Sequence, residues 1–260
     1  MNPPGVLGQI LEETRARLRA QPVDEAALEE RALTAPAGPD AMTALHRPGV
    51  RIIAEVKRRS PSAGQIREGA DPVQIAELYE SAGAAAISVL TEPKHFGGSL
   101  DDLRAVTSAC SLPALRKDFI VSKRQILEAK VAGASLILLI AAGLTDHELE
   151  ARHEEAVQLG LQPLVEAHTA EEVRRALGSG ANLVGINSRD LVSLRVDLGV
   201  AESLRAQIPS GVTAVAESGI KGPPDIARLR KAGFDVFLIG SALMEAEHPA
   251  VELRRLMEQA

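Results

Sequence analysis

From Arg51 onward the hydrophobic positions follow two alternating rhythms. Short aliphatic and β-branched runs occupy 51–57, 84–90, 112–117, 134–141, 161–166, 182–187, 212–217 and 235–239. Between them lie segments such as DPVQIAELYESAG and SKRQILEAKVAGA, with apolar residues at helical spacing and a glycine near the C-terminal end. Strand then helix, eight times over, predicts a parallel sheet. The pattern also repeats within the chain. SAGAAAISVL, VAGASLILLI, GSGANLVGIN and KAGFDVFLIG each set a helix-ending glycine before a strand, and Gly83, Gly133, Gly180 and Gly233 recur roughly every 50 residues. The best self-match pairs Ile120, Ile126, Ala132, Gly133 and Leu138 with Ile220, Ile226, Ala232, Gly233 and Leu238. Four equal (βα)2 quarters predict an α/β fold of the closed (β/α)8 TIM-barrel type, because an open doubly wound sheet has no reason for them.

The first stretch follows a different pattern. Ile10, Leu11, Thr14 and Leu18 recur at helical spacing, a second helix is predicted from Asp24 to Leu33, and APAGPD at 35–40 breaks it. The expected organisation is an N-terminal helical extension, residues 1–45, packed on a barrel catalytic domain, residues 46–260. The extension is too short to hold a core of its own.

Composition narrows the function. The 260 residues suit one α/β barrel, and with 2% aromatics and no Trp the core must be aliphatic. A net charge of -6 and a pI of about 5.6 carry no basic surplus, so no nucleic-acid partner is expected. The single cysteine, Cys110, excludes an intrachain disulfide, fits a reducing cytoplasm and reads as core filler. The N-terminus lacks an apolar signal core, and no run approaches ~18 apolar residues, so no membrane span is expected. The six histidines show no metal-ligand spacing; His147 and His153 read as exposed helix positions. Neither a metal nor a cofactor is expected.

Chemistry enters at the strand ends. In RIIAEVKRRSPS, residues 51–62, Ile53, Glu55 and Lys57 share one face, and Ile52, Ala54 and Val56 the other. Active sites of such barrels lie at the C-terminal ends of the strands, so Glu55 and Lys57 are predicted to project at the mouth, above the packed layers. Ser60 follows on the same segment, and the other strand ends add Lys117, Glu166, Asn187, Arg189, Glu217, Ser218, Gly240 and Ser241. Two lysines and three glutamates thus converge on one mouth. Such a crowd of charges costs stability unless paired, and it shifts pKa values toward those that acid–base catalysis needs. After the last two strands, Ser218, Gly219, Gly240 and Ser241 are candidates for holding a phosphate, with Ser60 and Ser62 closing the pocket. Phe96, in the loop TEPKHFGGS, is placed over the mouth, as a platform for a flat substrate ring or as an anchor of the loop. Lys123 and Arg124 read as parts of solvated helix faces.

Taken together, IIAEVKRRSPS, ISVLTEPKHFGGSLDDL, LPALRKDFI, PLVEAHT, GINSRDL, AVAESGI and IGSALM give residues 51–245 a resemblance to indole-3-glycerol phosphate synthase. The resemblance implies a cofactor-free carboxy-lyase of tryptophan biosynthesis. Such an enzyme converts 1-(2-carboxyphenylamino)-1-deoxyribulose 5-phosphate into indole-3-glycerol phosphate, CO2 and water. It implies Lys117 as general acid in ring closure, with Glu166 and Lys57 handling protons in the dehydration. Glu55 would position Lys57, Asn187 would orient Glu166, and Arg189 and Lys57 would meet the substrate carboxylate. Glu217 and Ser218 would complete the polar wall, and Ser60, Gly219, Gly240 and Ser241 would hold the phosphate. It also implies extra N-terminal helices over the mouth and a monofunctional chain, expected to be a monomer, acting on a small phosphorylated molecule in the cytoplasm. Two positions depart from the family pattern: His95 stands where an aromatic residue is expected, and Arg195 where an acid is common. The competing readings are a Schiff-base aldolase, which needs a neutral lysine, and a catalytically silent barrel that binds an anion.

Overall fold

The computed structural model describes residues 5–61, 64–190 and 193–258. The predicted contribution of Ser62 to the pocket lies outside them. All eight predicted runs form strands: β1 Arg51–Val56, β2 Ala86–Leu90, β3 Ala114–Lys117, β4 Leu136–Ile140, β5 Gln162–Ala167, β6 Leu183–Asn187, β7 Thr213–Glu217 and β8 Val236–Ile239. They close into one parallel barrel in sequence order, with β8 returning to β1 through the register Arg51↔Val236. Several strands begin two residues later than predicted, because the preceding glycine occupies a helix terminus. Gly83, Gly133, Gly180 and Gly233 all have positive φ. Beside each, the next N–H reaches back to the carbonyl five residues earlier, as in Ala84 to Tyr79 and Phe234 to Leu229. This is the Schellman termination, and it favours glycine because an L side chain strains the left-handed region.

The outer helices are α4 Pro72–Ser81, α5 Leu100–Ala109, α6 Lys123–Val131, α7 Asp146–Gln158, α8 Ala170–Gly178, α9 Leu198–Arg205, α10 Pro223–Lys231, α11 Ser241–Glu245 and α12 Pro249–Glu258. Side chains that bond the first-turn N–H groups start several of them: Asp71 on Val73, Ser99 on Asp102, and Thr145 with Glu148 as a capping box. Strand parity sorts the core as predicted. Ile53, Leu115, Leu136, Leu164, Leu183 and Val215 fill the barrel, while Ile52, Ala54 and Val56 belong to the layer between strands and helices. Glu55 and Lys57 therefore stand on the interior face, above Ile53.

The N-terminal helices are α1 Gly5–Ala20, α2 Glu25–Thr34 and α3 Ala41–Leu45. The third was not foreseen, since five residues are too few for a helical period to show. The helices do not all lie over the mouth. α1 does, burying Leu7 and Leu11 in the cluster that holds Leu138 and Ile140. α3 closes the opposite end, where Ala41 and Leu45 join the inner cluster and His46 Nε2 lies 2.8 Å from Thr213 Oγ1 at the start of β7. α2 runs along α6, tied by an ion pair of 2.6 Å between Lys123 and Glu29.

Three sequence expectations need adjusting. Arg124 is not solvated: its guanidinium donates to the Leu18 and Gln21 carbonyls at the end of α1, and to Glu128. Lys123 stays half exposed yet is paired to α2. His153 is buried, because Leu149, His153 and Ala156 form the inward stripe of α7, and that burial lowers its pKa. Cys110 is buried as expected, and burial pushes its thiol up to about 11. Among the described residues no helix is long and apolar enough to cross a membrane.

Candidate active site

The C-terminal ends of the strands surround a cavity of about 800 Å³. Every site residue predicted from the sequence and present among the described residues lines it: Glu55, Lys57, Ser60, Phe96, Lys117, Glu166, Asn187, Arg189, Glu217, Ser218, Gly219, Gly240 and Ser241. They come from seven of the eight strands or the loops that follow them, which sequence distance hides and barrel closure brings together.

The floor is an ionic layer. Lys57 Nζ lies 2.9 Å from Glu55 Oε1; Lys117 Nζ lies 3.3 Å from Glu166 Oε2 and 3.6 Å from Glu217 Oε2. All three carboxylates are nearly inaccessible to solvent. Burial alone would push Lys117 down, but the charges of Glu166, Glu217 and Glu55 outweigh it and hold the ammonium protonated. Burial would raise Glu55, yet Lys57 and Lys117 bring it below the usual carboxylate range. Glu217 goes the other way: burial, then the neighbouring Glu166 charge, raise it well above its ordinary value. Glu217 and Glu55 are thus shifted in opposite directions, although both lie beside lysines.

Around this layer the walls differ. One side is apolar: Leu7 and Ile10 from α1, Phe96, Phe119, Ile140 and Leu194. The Phe96 and Phe119 rings lie 6.0 Å apart, tilted by 39°. Arg189 stands at the rim with its guanidinium on the Leu194 carbonyl, 3.0 Å away. The Asn187 side-chain oxygen accepts from the Arg189 backbone N–H at 3.0 Å, a turn contact rather than a bond to Glu166. On the other side, Ser218 and Gly219 both have positive φ, 63° and 84°, and Ser241 opens α11. The first N–H groups of a helix have no intrahelical acceptor, so this corner presents donors.

Several functional contacts escaped the sequence reading. The loop carrying Phe96 is wrapped around the buried Glu92 carboxylate, which accepts from the N–H groups of Lys94, His95 and Phe96. Arg58 and Arg59, just past β1, donate to the Gly97, His95 and Lys94 carbonyls of the same loop. From α1, Glu13 takes Lys94 Nζ and His95 Nε2, each at 2.7 Å. The departure at His95 thus points away from the cavity and toward the helix that covers it. Arg195, the other departure, is exposed, as expected of a surface loop. Beneath Lys117, Arg116 and Asp118 form a buried pair at 2.9 Å, and Asp118 also accepts from the Phe119 N–H. In the sequence, RKDF shows the residue types of this network, but the partners Thr91 and Gln125 come from distant segments.

The match of a whole-chain family model decides the relationship: that of indole-3-glycerol phosphate synthase covers residues 7–256. The chain belongs to the indole-3-glycerol phosphate synthase family. The match extends beyond 51–245 and takes in the N-terminal helices. An indole-3-glycerol phosphate synthase of Mycolicibacterium gilvum is 48% identical over 246 residues, 94% of this chain and 90% of that protein. One of Saccharopolyspora erythraea is 44% identical over 252 residues, 97% and 93% of the two chains. Among solved structures, a 3-hexulose-6-phosphate synthase aligns over 81% of this chain and 99% of its own, with a TM-score of 0.63 at 17% identity. That likeness concerns the barrel alone. Family membership, by contrast, rests on sequence along the whole chain, including the strand ends that build the ionic layer. Among the described residues no group of three or more His, Cys, Asp and Glu is placed to hold a metal ion.

Proposed function

We propose that the cavity carries out the reaction of the indole-3-glycerol phosphate synthase family by lysine/glutamate acid–base catalysis. The substrate, 1-(2-carboxyphenylamino)-1-deoxyribulose 5-phosphate, needs a slot for its ring, a cradle for its phosphate and an acid beside its carbonyl. The single observation that carries the reading is a buried, charged Lys117 between two carboxylates, 3.3 Å from Glu166 and 3.6 Å from Glu217.

In this reading the carboxyphenyl ring lies between Phe96 and the apolar wall, and its carboxylate meets Arg189 and Lys57. The phosphate sits at Ser60, Gly219, Gly240 and Ser241. Lys117 gives a proton to the carbonyl oxygen as the ring carbon attacks, so no alkoxide forms in a dry site. Departure of CO2 returns the bonding electrons to the ring. The new hydroxyl then leaves as water, taking a proton from a lysine of the layer while Glu166 accepts one from the ring system. Glu55 holds Lys57 in place at 2.9 Å, and Asn187 and Ser218 complete the polar wall, the Ser218 hydroxyl adding a bond to the phosphate beside Gly219. The division into an extension, 1–45, and a catalytic barrel, 46–260, belongs to the same reading. So do a monomeric state and action in the cytoplasm on a small phosphorylated molecule.

A charged Lys117 also argues against the aldolase reading, since imine formation needs the free amine. The test is to incubate the purified chain with the carboxyphenylamino-deoxyribulose phosphate and follow indole fluorescence, with borohydride added to a parallel sample. Fluorescence without covalent trapping supports the proposal; a trapped adduct on Lys117 or Lys57 without an indole product contradicts it.

A further inference from the structure

We propose that Gly185 is a positioning residue: the side chain it lacks is the socket that seats the Glu217 carboxyl in the ionic layer. Gly185 lies on the inner face of β6, in step with Leu183 and Asn187. In the barrel register Glu217 is opposite Asn187, one inward position nearer the mouth. A Glu217 side chain that stood upright would leave Gly185 untouched. It bends back instead. A Cβ built on Gly185 overlaps Glu217 Oε1, lies 3.1 Å from its Cδ and 3.3 Å from Leu164 Cδ1.

Space is the reason for glycine here, because conformation is not: Gly185 is absent from the positive-φ glycines of the chain. The socket draws the carboxyl down until the residue is 1% exposed and its Oε2 is 3.6 Å from Lys117. That depth separates Glu217 from water, and removal from water is the first cause of its raised pKa. The same device occurs on the neighbouring side of the mouth. A Cβ on Gly240 overlaps Glu55 Oε1 and lies 3.1 Å from both Glu55 Cδ and Lys57 Nζ. Gly240 thus makes room for an ion pair of the layer, beyond its expected part in holding phosphate.

A double-mutant cycle tests the socket. Gly185→Ala, Glu217→Ala and the double variant are compared by thermal unfolding and by steady-state kinetics. If Gly185 acts by seating Glu217, Gly185→Ala lowers the melting point by about 3 °C or more in the wild-type background and has no cost in the Glu217→Ala background. Should Gly185→Ala fail to fold alone, the double variant is expected to fold. An equal cost in both backgrounds, no cost in either, or failure of both to fold overturns the proposal. The kinetic arm rests on the proposed reaction: Gly185→Ala lowers kcat on the order of 100-fold, and the double variant is no worse than Glu217→Ala. Unfolding needs no substrate, so an inactive wild type would sink the reaction while the thermal cycle still judged the socket.

Discussion

Glu217 and Glu166 both lie beside Lys117, and burial with the neighbouring Glu166 charge raises the Glu217 pKa well above its ordinary value, at a point where a charged residue would place a third anion beside two lysines. The layer sets two lysines among three carboxyl groups, and a proton kept on Glu217 lessens its excess of negative charge. Buried charges that close are tolerable only when their number balances and their geometry is good. The layer therefore has a protonation pattern set by position, which is the property acid–base chemistry uses.

The raised Glu217 pKa makes a pH prediction. Its folded pKa lies above the unfolded value, so it lowers no stability below pH ~4, and stability falls as pH rises from there through the folded pKa. Glu217→Gln keeps the shape and removes this titration. The expected result is a higher melting point at pH 7, by about 3 °C per kcal/mol recovered, a flatter stability profile above pH ~5, and reduced kcat. Thermal unfolding across pH checks it; an unchanged profile would assign Glu217 an ordinary pKa.

The clamp between α1 and the Phe96 loop makes a second. Lys94, Gln9 and His95 bring Glu13 down to about 2. Its contribution to holding the loop is complete above the unfolded carboxylate pKa and is lost as pH falls from there through the folded value of about 2. Glu13→Ala is expected to leave the fold intact and to speed amide hydrogen exchange across residues 94–98 by about 3-fold or more, as for a loop that has lost one contact to a neighbouring helix. KM should rise with little change in kcat, as for a loop that positions substrate without touching the proton transfers. Unchanged exchange would mean that Glu92, Arg58 and Arg59 hold the loop without help from α1.

Ser218 makes a third. Its φ of 63° lies in the left-handed region, where a non-glycine residue costs roughly 1 kcal/mol. Ser218→Gly is expected to melt at or above the wild-type temperature while binding inorganic phosphate more weakly, because the hydroxyl is gone. Calorimetry reads both. A lower melting point would mean that the hydroxyl supports the fold rather than the ligand.

Much of this was visible in the sequence because barrel rules turn parity into place. Period-two alternation put Glu55 and Lys57 above Ile53, and the repeated Gly83, Gly133, Gly180 and Gly233 marked the modules. The Phe96 position followed from loop length after the second strand. What stayed hidden depended on distance in space. Nothing local says that Gly185 faces Glu217, that Glu13 reaches Lys94, or that Arg124 bonds the Leu18 carbonyl. α3 was too short to show a period, and its placement opposite α1 depends on where the chain enters β1. His153 looked like any polar helix residue until the inward stripe of α7 was known.

The central claim, that Lys117 is the general acid, is tested most directly by the turnover of Lys117→Ala on the carboxyphenylamino-deoxyribulose phosphate beside wild type. Indole fluorescence would be followed, with folding checked by circular dichroism. The account predicts a kcat lower by ~100-fold or more, the scale of a missing acid. A folded Lys117→Ala that turns over at the wild-type rate would contradict it and move the acid to Lys57.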